Sequence, residues 1–202
     1  LRVKVQGYYP YSRRKPLNLS ELSFDLLGGQ LSVNQLALPQ NKIADVKLQN
    51  IDLAKLLAMA QYNQVSMTGR VNAVFPFWLE GQDCVICNGE IRKANNEPVT
   101  VKLGKDLVEG LKQGGWTESI LVDVISELDF QELNARVNLT PDGVAHLTST
   151  IKAYNPQKDT HNPIILNYNH QENVYELWNM IDYGSQFEQN LEHKIYQKLE
   201  QK

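Results

Sequence analysis

Hydrophobic and polar residues alternate along much of this chain, which is the pattern of β-strands with one face hidden from water. The longest alternating run extends from Val65 to Leu79, with an apolar residue or glycine at every odd-numbered position. At about 3.3 Å per residue such a strand would span roughly 50 Å. Pro76 cannot donate a hydrogen bond to a neighbouring strand, so it indicates an edge, a bulge or a break. The candidates for the apolar inner face are Val65, Met67, Val71, Phe75, Phe77 and Leu79.

Shorter alternating segments, separated by turn-forming residues, predict the remaining strands. The clearest is a hairpin over Ala135–Ala153 with Pro141-Asp142-Gly143 as its turn, and Glu80–Asp83 indicates a second hairpin turn. The strand after that second turn is expected to be bulged at Asn88-Gly89. The other segments with strand alternation are 1–5, 22–26, 31–38, 42–48, 84–94, 99–103 and 164–168.

Four segments have helical rather than strand periodicity. They are Asp52–Gln61, Asp106–Lys112, Glu118–Leu128 and a final segment over about Glu172–Glu200. Asp52 and Thr117 are of the residue types that favour the N-cap of a helix. These helices would interrupt or follow the sheet.

The organisation predicted from these elements is one α+β domain over residues 1–202, because no Pro/Ser-rich linker and no fixed repeat divides the chain. Residues 1–171 are expected to form a mostly antiparallel sheet, shaped as a curved groove or a sandwich. A long C-terminal helix at 172–200 is expected to follow it. This helix would plug or cap the groove or rest on a membrane surface, and capping is favoured because its apolar stripe is narrow.

Composition and charge exclude several classes of protein. The chain has 202 residues, 42% of them hydrophobic and 21% charged, so it is neither disordered nor of low complexity. No apolar run approaches the roughly 20 residues that a membrane-spanning helix needs. The net charge of −3 makes nucleic acid a poor partner. The segment after Leu1 has no features of a signal peptide, so we expect a fragment of a longer protein, with any export signal or anchor upstream.

Motifs that carry chemistry are absent from the sequence. There is no G-x-S-x-G, Walker or G-x-G-x-x-G motif, and the histidines have no metal-ligand spacing. Their absence removes the common enzyme classes without excluding an enzyme, and the sequence points to no catalytic residue, metal or cofactor. Cys84 and Cys87 have C-x-x-C spacing within a strand-like run, where residues three apart point to opposite faces. Two half-buried strand residues are the favoured interpretation, and a disulfide across a local bulge is the main alternative.

One basic and aromatic cluster stands near the start of the chain. Three cations follow three tyrosines within a few residues, and they could contact anionic headgroups or nucleic acid. A solvated loop is the favoured interpretation, because the cluster is short and the chain is acidic. Its members are Tyr8, Tyr9, Tyr11, Arg13, Arg14 and Lys15.

The order of several short segments resembles the C-terminal region of YdbH-type proteins, in the AsmA-like group that includes TamB and YhdP. The resemblance covers most of the chain from about residue 18 to 180, and none of its segments is a catalytic signature. One position departs from the pattern, since Asn162 stands where the family would have arginine. The matching segments are Asp25–Gly29, Asn50–Leu57, Val65–Arg70, Phe75–Phe77, Asn88–Arg92, Leu128–Phe130, Leu133, Asn155-Pro156, Pro163–Asn167 and Glu172-Asn173.

The resemblance implies an envelope protein of diderm bacteria that is anchored in the inner membrane by an N-terminal helix and crosses the periplasm as a long β-groove. The implied activity is the movement of phospholipid between the two membranes along that apolar groove. This chain would be the part nearest the outer membrane, where a sheet edge could pair with a strand from a small lipoprotein. The family also carries a dicarboxylate transport label, for which the sequence shows no basic substrate pocket.

Two other functions compete with lipid transport. The first is a structural or assembly module of the envelope, with a filled core and an edge that binds a partner strand. The second is a hydrolase of envelope material, which would need converging polar groups with perturbed pKa values. No such set of polar groups stands out in the sequence. We therefore predict a non-enzyme that needs no cofactor and whose ligand is phospholipid.

Overall fold

A computed structural model describes residues 2–59, 64–81, 83–94, 97–112 and 122–175. Within these ranges, strands predominate and helices are short, as the alternation predicts. The strands are β1 (Arg2–Gln6), β2 (Leu17–Leu26), β3 (Gly29–Leu38), β4 (Ala44–Asp52), β5 (Val65–Thr68), β6 (Arg70–Phe77), β7 (Ile86–Lys93), β8 (Val99–Leu103), β9 (Glu127–Leu139), β10 (Val144–Asn155) and β11 (Asp159–Asn173). The helices are α1 (Leu53–Met59) and α2 (Lys105–Lys112), and residues 122–125 are also helical.

All of these strands belong to one open antiparallel sheet. Its order is β1-β2-β3-β4-β6-β7-β9-β10-β11, so each strand lies beside its neighbour in the chain over most of the sheet. β5 pairs with β8, and β8 pairs with the first residues of β9. The predicted mostly antiparallel sheet with a few helices is confirmed, whereas the curved groove stays a prediction.

Gly69 divides the long strand that the sequence predicts over Val65–Leu79. Its φ of +91° lies in the left-handed region, and a Cβ added there would be 2.5 Å from the Pro98 carbonyl oxygen. The chain therefore bends at Gly69, and the two halves, β5 and β6, pair with different strands. β6 ends at Phe77, so Leu79 lies beyond the sheet. The prediction of one continuous strand was wrong in these two respects.

The strand alternation separates an apolar face of the sheet from a polar face. Residues that oppose each other across neighbouring strands share a face, as in the pairs Val46 with Phe75 and Ile91 with Ala135. A core lies on the apolar face at one end of the sheet, which we call the helix end because α1, α2 and residues 122–125 adjoin it. The buried members of this core are Ile51, Leu53, Val71, Val99, Leu128, Phe130 and Ala153.

Specific hydrogen bonds define the boundaries of the helical segments. The backbone N–H groups of Ala54 and Lys55 donate to Asp52 Oδ1 at 2.9 and 3.2 Å, so Asp52 caps α1 as predicted. The buried Asn155 side chain donates to the carbonyl oxygens of Asp123 and Val124 at 3.1 and 2.8 Å. These contacts satisfy carbonyls at the end of the helical residues 122–125.

Two predicted helices differ from the structure at their boundaries. The helix predicted over Glu118–Leu128 is helical at 122–125, but Leu128 belongs to β9, where it pairs with Val101. Pairing with β8 therefore outweighs the helical spacing of the apolar residues. The helix predicted at 172–200 begins too early, because residues 172 and 173 close β11. The remainder of that prediction, from residue 176, lies outside the described residues.

Cys84 and Cys87 form a disulfide, with their Cα atoms 5.5 Å apart. The favoured interpretation of two unpaired strand residues was therefore wrong. β7 begins at Ile86 rather than at Cys84, so Cys84 lies in the connection before the strand. The rule that residues three apart point to opposite faces of a strand does not apply there.

A membrane-spanning helix is not found among the residues that the structure describes.

The ion pair between Lys112 and Asp123 gives the helix end a pH dependence. The hydrogen bond from Lys112 is the main cause that holds the pKa of the Asp123 carboxyl below its usual value. A lowered carboxyl pKa stabilises the fold above the unfolded pKa of about 3.9, and the contribution is lost as the pH falls through the lowered value. We expect Lys112→Met to reduce the melting temperature at pH 6, and we expect this deficit to shrink as the pH falls below about 3.9 towards pH 2.

Melting curves from pH 2 to 7 measure this convergence. Lys105→Met, at the exposed start of the same helix, is the control and should leave the pH profile unchanged. A Lys112→Met deficit that persisted unchanged at pH 2 would show that packing, rather than the charge pair, accounts for the effect.

Candidate functional site

The apolar face continues beyond the core to the opposite end of the sheet, which we call the loop end. Here the strands are joined by residues 7–16, 39–43, 78–85 and 140–143. The large apolar side chains on this part of the face are half-buried, in contrast to the closed core at the helix end. They are Val46, Phe75, Phe77, Ile86, Val137, Leu139 and Leu147.

The strand register brings these side chains together from five strands. Phe77 lies opposite Ala44 of β4 and Ile86 of β7, and Ile86 in turn lies opposite Leu139 of β9. Leu147 of β10 continues the row beside Val137 of β9. The result is an apolar strip that crosses the strands at the loop end without a charged side chain among these positions.

The six residues predicted for the inner face fall into three environments. Met67 and Val71 pack in or against the core at the helix end, and Val65 is half-buried in β5. Phe75 and Phe77 lie in the half-buried strip. Leu79 is 52% exposed in the connection after β6. Thus only two of the predicted residues belong to the accessible part of the apolar face.

A close approach of backbone and ring sets the position of Phe75. Asn88, with a φ of +54°, interrupts the regular pairing of β7, as the predicted bulge requires. Its N–H donates to Asn138 Oδ1 at 2.7 Å. The neighbouring Gly89 is buried beneath Phe75, and a Cβ added to it would lie 2.5 Å from Phe75 Cδ1. The missing side chain of Gly89 therefore gives the ring its place on the sheet.

The buried amide of Gln40 fixes the end of β6. Its Nε2 donates to the carbonyl oxygens of Phe77 at 2.8 Å and Lys42 at 3.2 Å. Its Oε1 accepts a hydrogen bond from the Leu79 N–H at 2.7 Å. One side chain thereby satisfies the hydrogen-bonding groups of the backbone where the strand ends. It also links the edge of the apolar strip to the connection between β3 and β4.

The opposite face of the same strands is polar. A shallow cavity of about 510 Å³ lies on it, lined mainly by polar side chains of β7, β9, β10 and β11. Arg92 donates to Glu90 at 2.8 Å, and Thr150 donates to Asn167 at 3.1 Å within this lining. No group of three metal-ligating side chains occurs in the described ranges. The contrast between the faces makes the sheet amphipathic at the loop end.

Several members of the strip were missing from the predicted site. Val137, Leu139 and Leu147 lie in the predicted hairpin, and Ile86 lies in the predicted bulged strand. The sequence shows the alternation of these residues, but it does not show which strands lie beside β6. The register supplies that information, because it places β7 directly beside β6 and β9 beyond it.

Substituting Gly89 tests the contact that positions Phe75. We expect Gly89→Ala to destabilise the protein by about 1–3 kcal/mol, because an added methyl group would overpack against the ring. In a Phe75→Leu background the same substitution should cost clearly less, and urea unfolding measures both. Gly110→Ala is the matched control, since nothing lies within 4 Å of a Cβ there. Equal costs in the two backgrounds would show that the destabilisation does not arise from contact with the Phe75 ring.

Comparison with known proteins places the chain in a family. The YdbH-like family model, described as "Intermembrane phospholipid transport protein YdbH", matches residues 1–196. The "Probable phospholipid transport protein YdbH" of Escherichia coli (strain K12) is 27% identical over 192 residues, which are 95% of this chain and 22% of that protein. The chain thus spans about a fifth of the relative's length. No solved structure matches it. Because the family model spans nearly the whole chain, this protein belongs to the YdbH-like family.

Proposed function

We propose that this chain is part of a periplasmic bridge that carries phospholipid between the inner and outer membranes, with the acyl chains lying on the apolar face. The observation that carries the proposal is the half-buried strip around Phe75 and Phe77, on a sheet whose other face is polar. The family model and the relative's name support phospholipid as the ligand. The proposal assigns the chain no chemical step.

The physical chemistry of the strip suits transient binding of a lipid. Removing a CH₂ group from water contributes about 0.8 kcal/mol, so a few methylenes on the strip hold an acyl chain. Phe75, Ile86 and Val137 offer similar apolar contacts, and none of them can hydrogen-bond a headgroup. A lipid could therefore move along the face in small steps, while the energy or gradient that gives direction comes from elsewhere.

The outer edge of β11 supports the proposal that a partner protein adds a strand to the sheet. β11 extends over 15 residues and pairs with β10 along one side, whereas no described strand pairs with its other side. An unpaired edge presents backbone donors and acceptors to an extended peptide. The proposed partner is a small outer-membrane lipoprotein. The same edge is the observation that favours the alternative function, an assembly module of the envelope that binds this partner without carrying lipid.

The disulfide supports a periplasmic location. Disulfides persist in oxidising compartments such as the periplasm and are rare in the cytosol. Cys84 and Cys87 are the two cysteines of the chain, and they are bonded to each other. We propose that a segment of the longer protein, upstream of this chain, anchors it to the inner membrane.

Lipid co-purification tests the proposed ligand. We expect phospholipid to co-purify with the protein from bacterial membranes under mild conditions, as native mass spectrometry would detect. The double variant Phe75→Asp, Phe77→Asp should retain at most about a tenth of the co-purified phospholipid, because charges on the strip would have to be desolvated beside an acyl chain. Val74→Asp is the control, since Val74 directly precedes Phe75, lies on the other face and is 39% exposed.

A photo-reactive residue covers the case in which the double variant fails to fold. Benzoylphenylalanine at position 77 should cross-link phospholipid in the native protein, whereas the same residue at position 74 should not. Cross-linking at neither position, together with no lipid in the purified protein, would favour the assembly module instead.

Thiol labelling tests the compartment. Protein recovered from the periplasm and unfolded in iodoacetamide without reductant should gain no label, and after reduction it should gain two. The same chain expressed without an export signal is the control and should be labelled before reduction. Free thiols in the periplasmic sample would contradict the disulfide and remove this support for the location.

A further inference from the structure

The loop end carries a concentration of exposed aromatic and aliphatic side chains. Tyr8 is 75% exposed and Tyr9 is 93% exposed in the connection between β1 and β2. Ile43, before β4, is 56% exposed, and Leu79, after β6, is 52% exposed. These residues come from three separate connections, yet all three lie at the same end of the sheet. Single exposed apolar residues are ordinary, but a group at one end requires an explanation.

An ion pair holds two of these connections together. Arg13 donates to Glu80 at 2.9 Å, which links the β1–β2 connection to the one after β6. Ser12 and Lys15 exchange backbone hydrogen bonds of 3.0 Å, so Arg13 and Arg14 form the tip of a small hairpin. Lys15 Nζ lies 5.9 Å from the centre of the Tyr8 ring. The exposed tyrosines therefore lie in a connection that an ion pair links to the connection containing Leu79.

The charge of this connection is positive although the chain is acidic. Residues 7–16 contain Arg13, Arg14 and Lys15 and no Asp or Glu. Arg13 pairs with Glu80, while Arg14 is exposed and pairs with no acidic group among the described residues. Asp83 and Asp142 are acidic residues of other loop-end connections, and neither forms an ion pair with Arg14.

The helix end lacks this combination. Its exposed large hydrophobic residues in the described ranges include Leu56 and Met59 of α1 and Ile165 of β11, and none of these is aromatic. Lys55 is exposed on α1. Among the described residues, the two ends of one sheet therefore differ in exposed aromatic side chains, and they also differ in what lies behind them. A closed core lies behind the helix end, whereas the half-buried strip lies behind the loop end.

We propose that the loop end docks on the surface of a phospholipid bilayer that contains anionic lipids, with Tyr8, Tyr9, Ile43 and Leu79 in the interface and Arg14 and Lys15 against the headgroups. Tyrosine favours the boundary between membrane and water, and basic residues are attracted to anionic headgroups. Docking would place the strip around Phe77 next to the bilayer. This inference rests on the proposed function, because it identifies where the carried lipid enters or leaves.

Vesicle flotation tests the docking surface with the full chain. We expect binding to vesicles of phosphatidylethanolamine and phosphatidylglycerol that weakens as salt is added. The variant Arg14→Gln, Lys15→Gln should bind them roughly 30-fold more weakly, at about fivefold for each cation removed. Tyr9→Ser should weaken binding to these vesicles and to vesicles of phosphatidylcholine alone, since the ring acts independently of lipid charge.

A matched variant at the helix end provides the control. Lys55→Gln combined with Met59→Ser removes an exposed cation and an exposed apolar side chain, and it should bind as the unsubstituted protein does. Equal weakening by this control, unchanged binding of both loop-end variants, or no vesicle binding by the unsubstituted protein would each overturn the docking surface. In the last case, a protein partner rather than a bilayer would be the expected occupant of the loop end.

Lipid co-purification separates this inference from the proposed function. The loop-end variants leave Phe75 and Phe77 in place, so they should retain co-purified phospholipid at the original level while losing vesicle binding. Retained lipid with unchanged vesicle binding would refute the docking surface alone. Absence of lipid from the unsubstituted protein would refute the proposed function.

Discussion

Along each strand, apolar and polar side chains alternate with a period of two residues, and the rest of this structure depends on that constraint. In one open antiparallel sheet, every apolar residue of that period must lie on the same face as its cross-strand neighbours. Val71 and Val99 are buried there because helices adjoin that end of the sheet. Phe75 and Phe77 remain half-buried, because the strands continue past the core. A single pattern thus produces both the stable core and the accessible strip.

Irregular backbone positions adjust this pattern without reversing it. Asn50 and Asn88 adopt positive φ values of 54° where the pairing of β4 with β6 and of β7 with β9 shifts. Val71 and Ile91 nevertheless pack against the same core. Gly69 bends the chain between β5 and β6 and leaves Met67 and Val71 on one side. These positions allow the sheet to bend and widen while its two faces stay chemically distinct.

The sequence predicts the elements better than it predicts their partners. Alternation from Val65 to Phe77 identifies the apolar face, since periodicity is a local property. The break at Gly69 lies against Pro98, which precedes β8 and is distant in the sequence, so no local pattern could locate it. Leu128 illustrates the same limit, because helical spacing placed it in a helix and pairing with Val101 places it in a strand. The membership of the strip likewise follows from register.

The order of the strands also bears on how the chain reaches its native state. From β1 to β4, and again from β9 to β11, each strand pairs with the one that precedes it in the sequence. Such connections close short loops, for which the entropic cost is small. A chain that emerges from a translocation channel with its N-terminus first could therefore add strands one at a time. The central strands depart from this order, because β6 pairs with β4, β5 pairs with β8, and β9 pairs with β7 as well as with β8. Folding of the central strands would thus limit the rate at which the sheet grows.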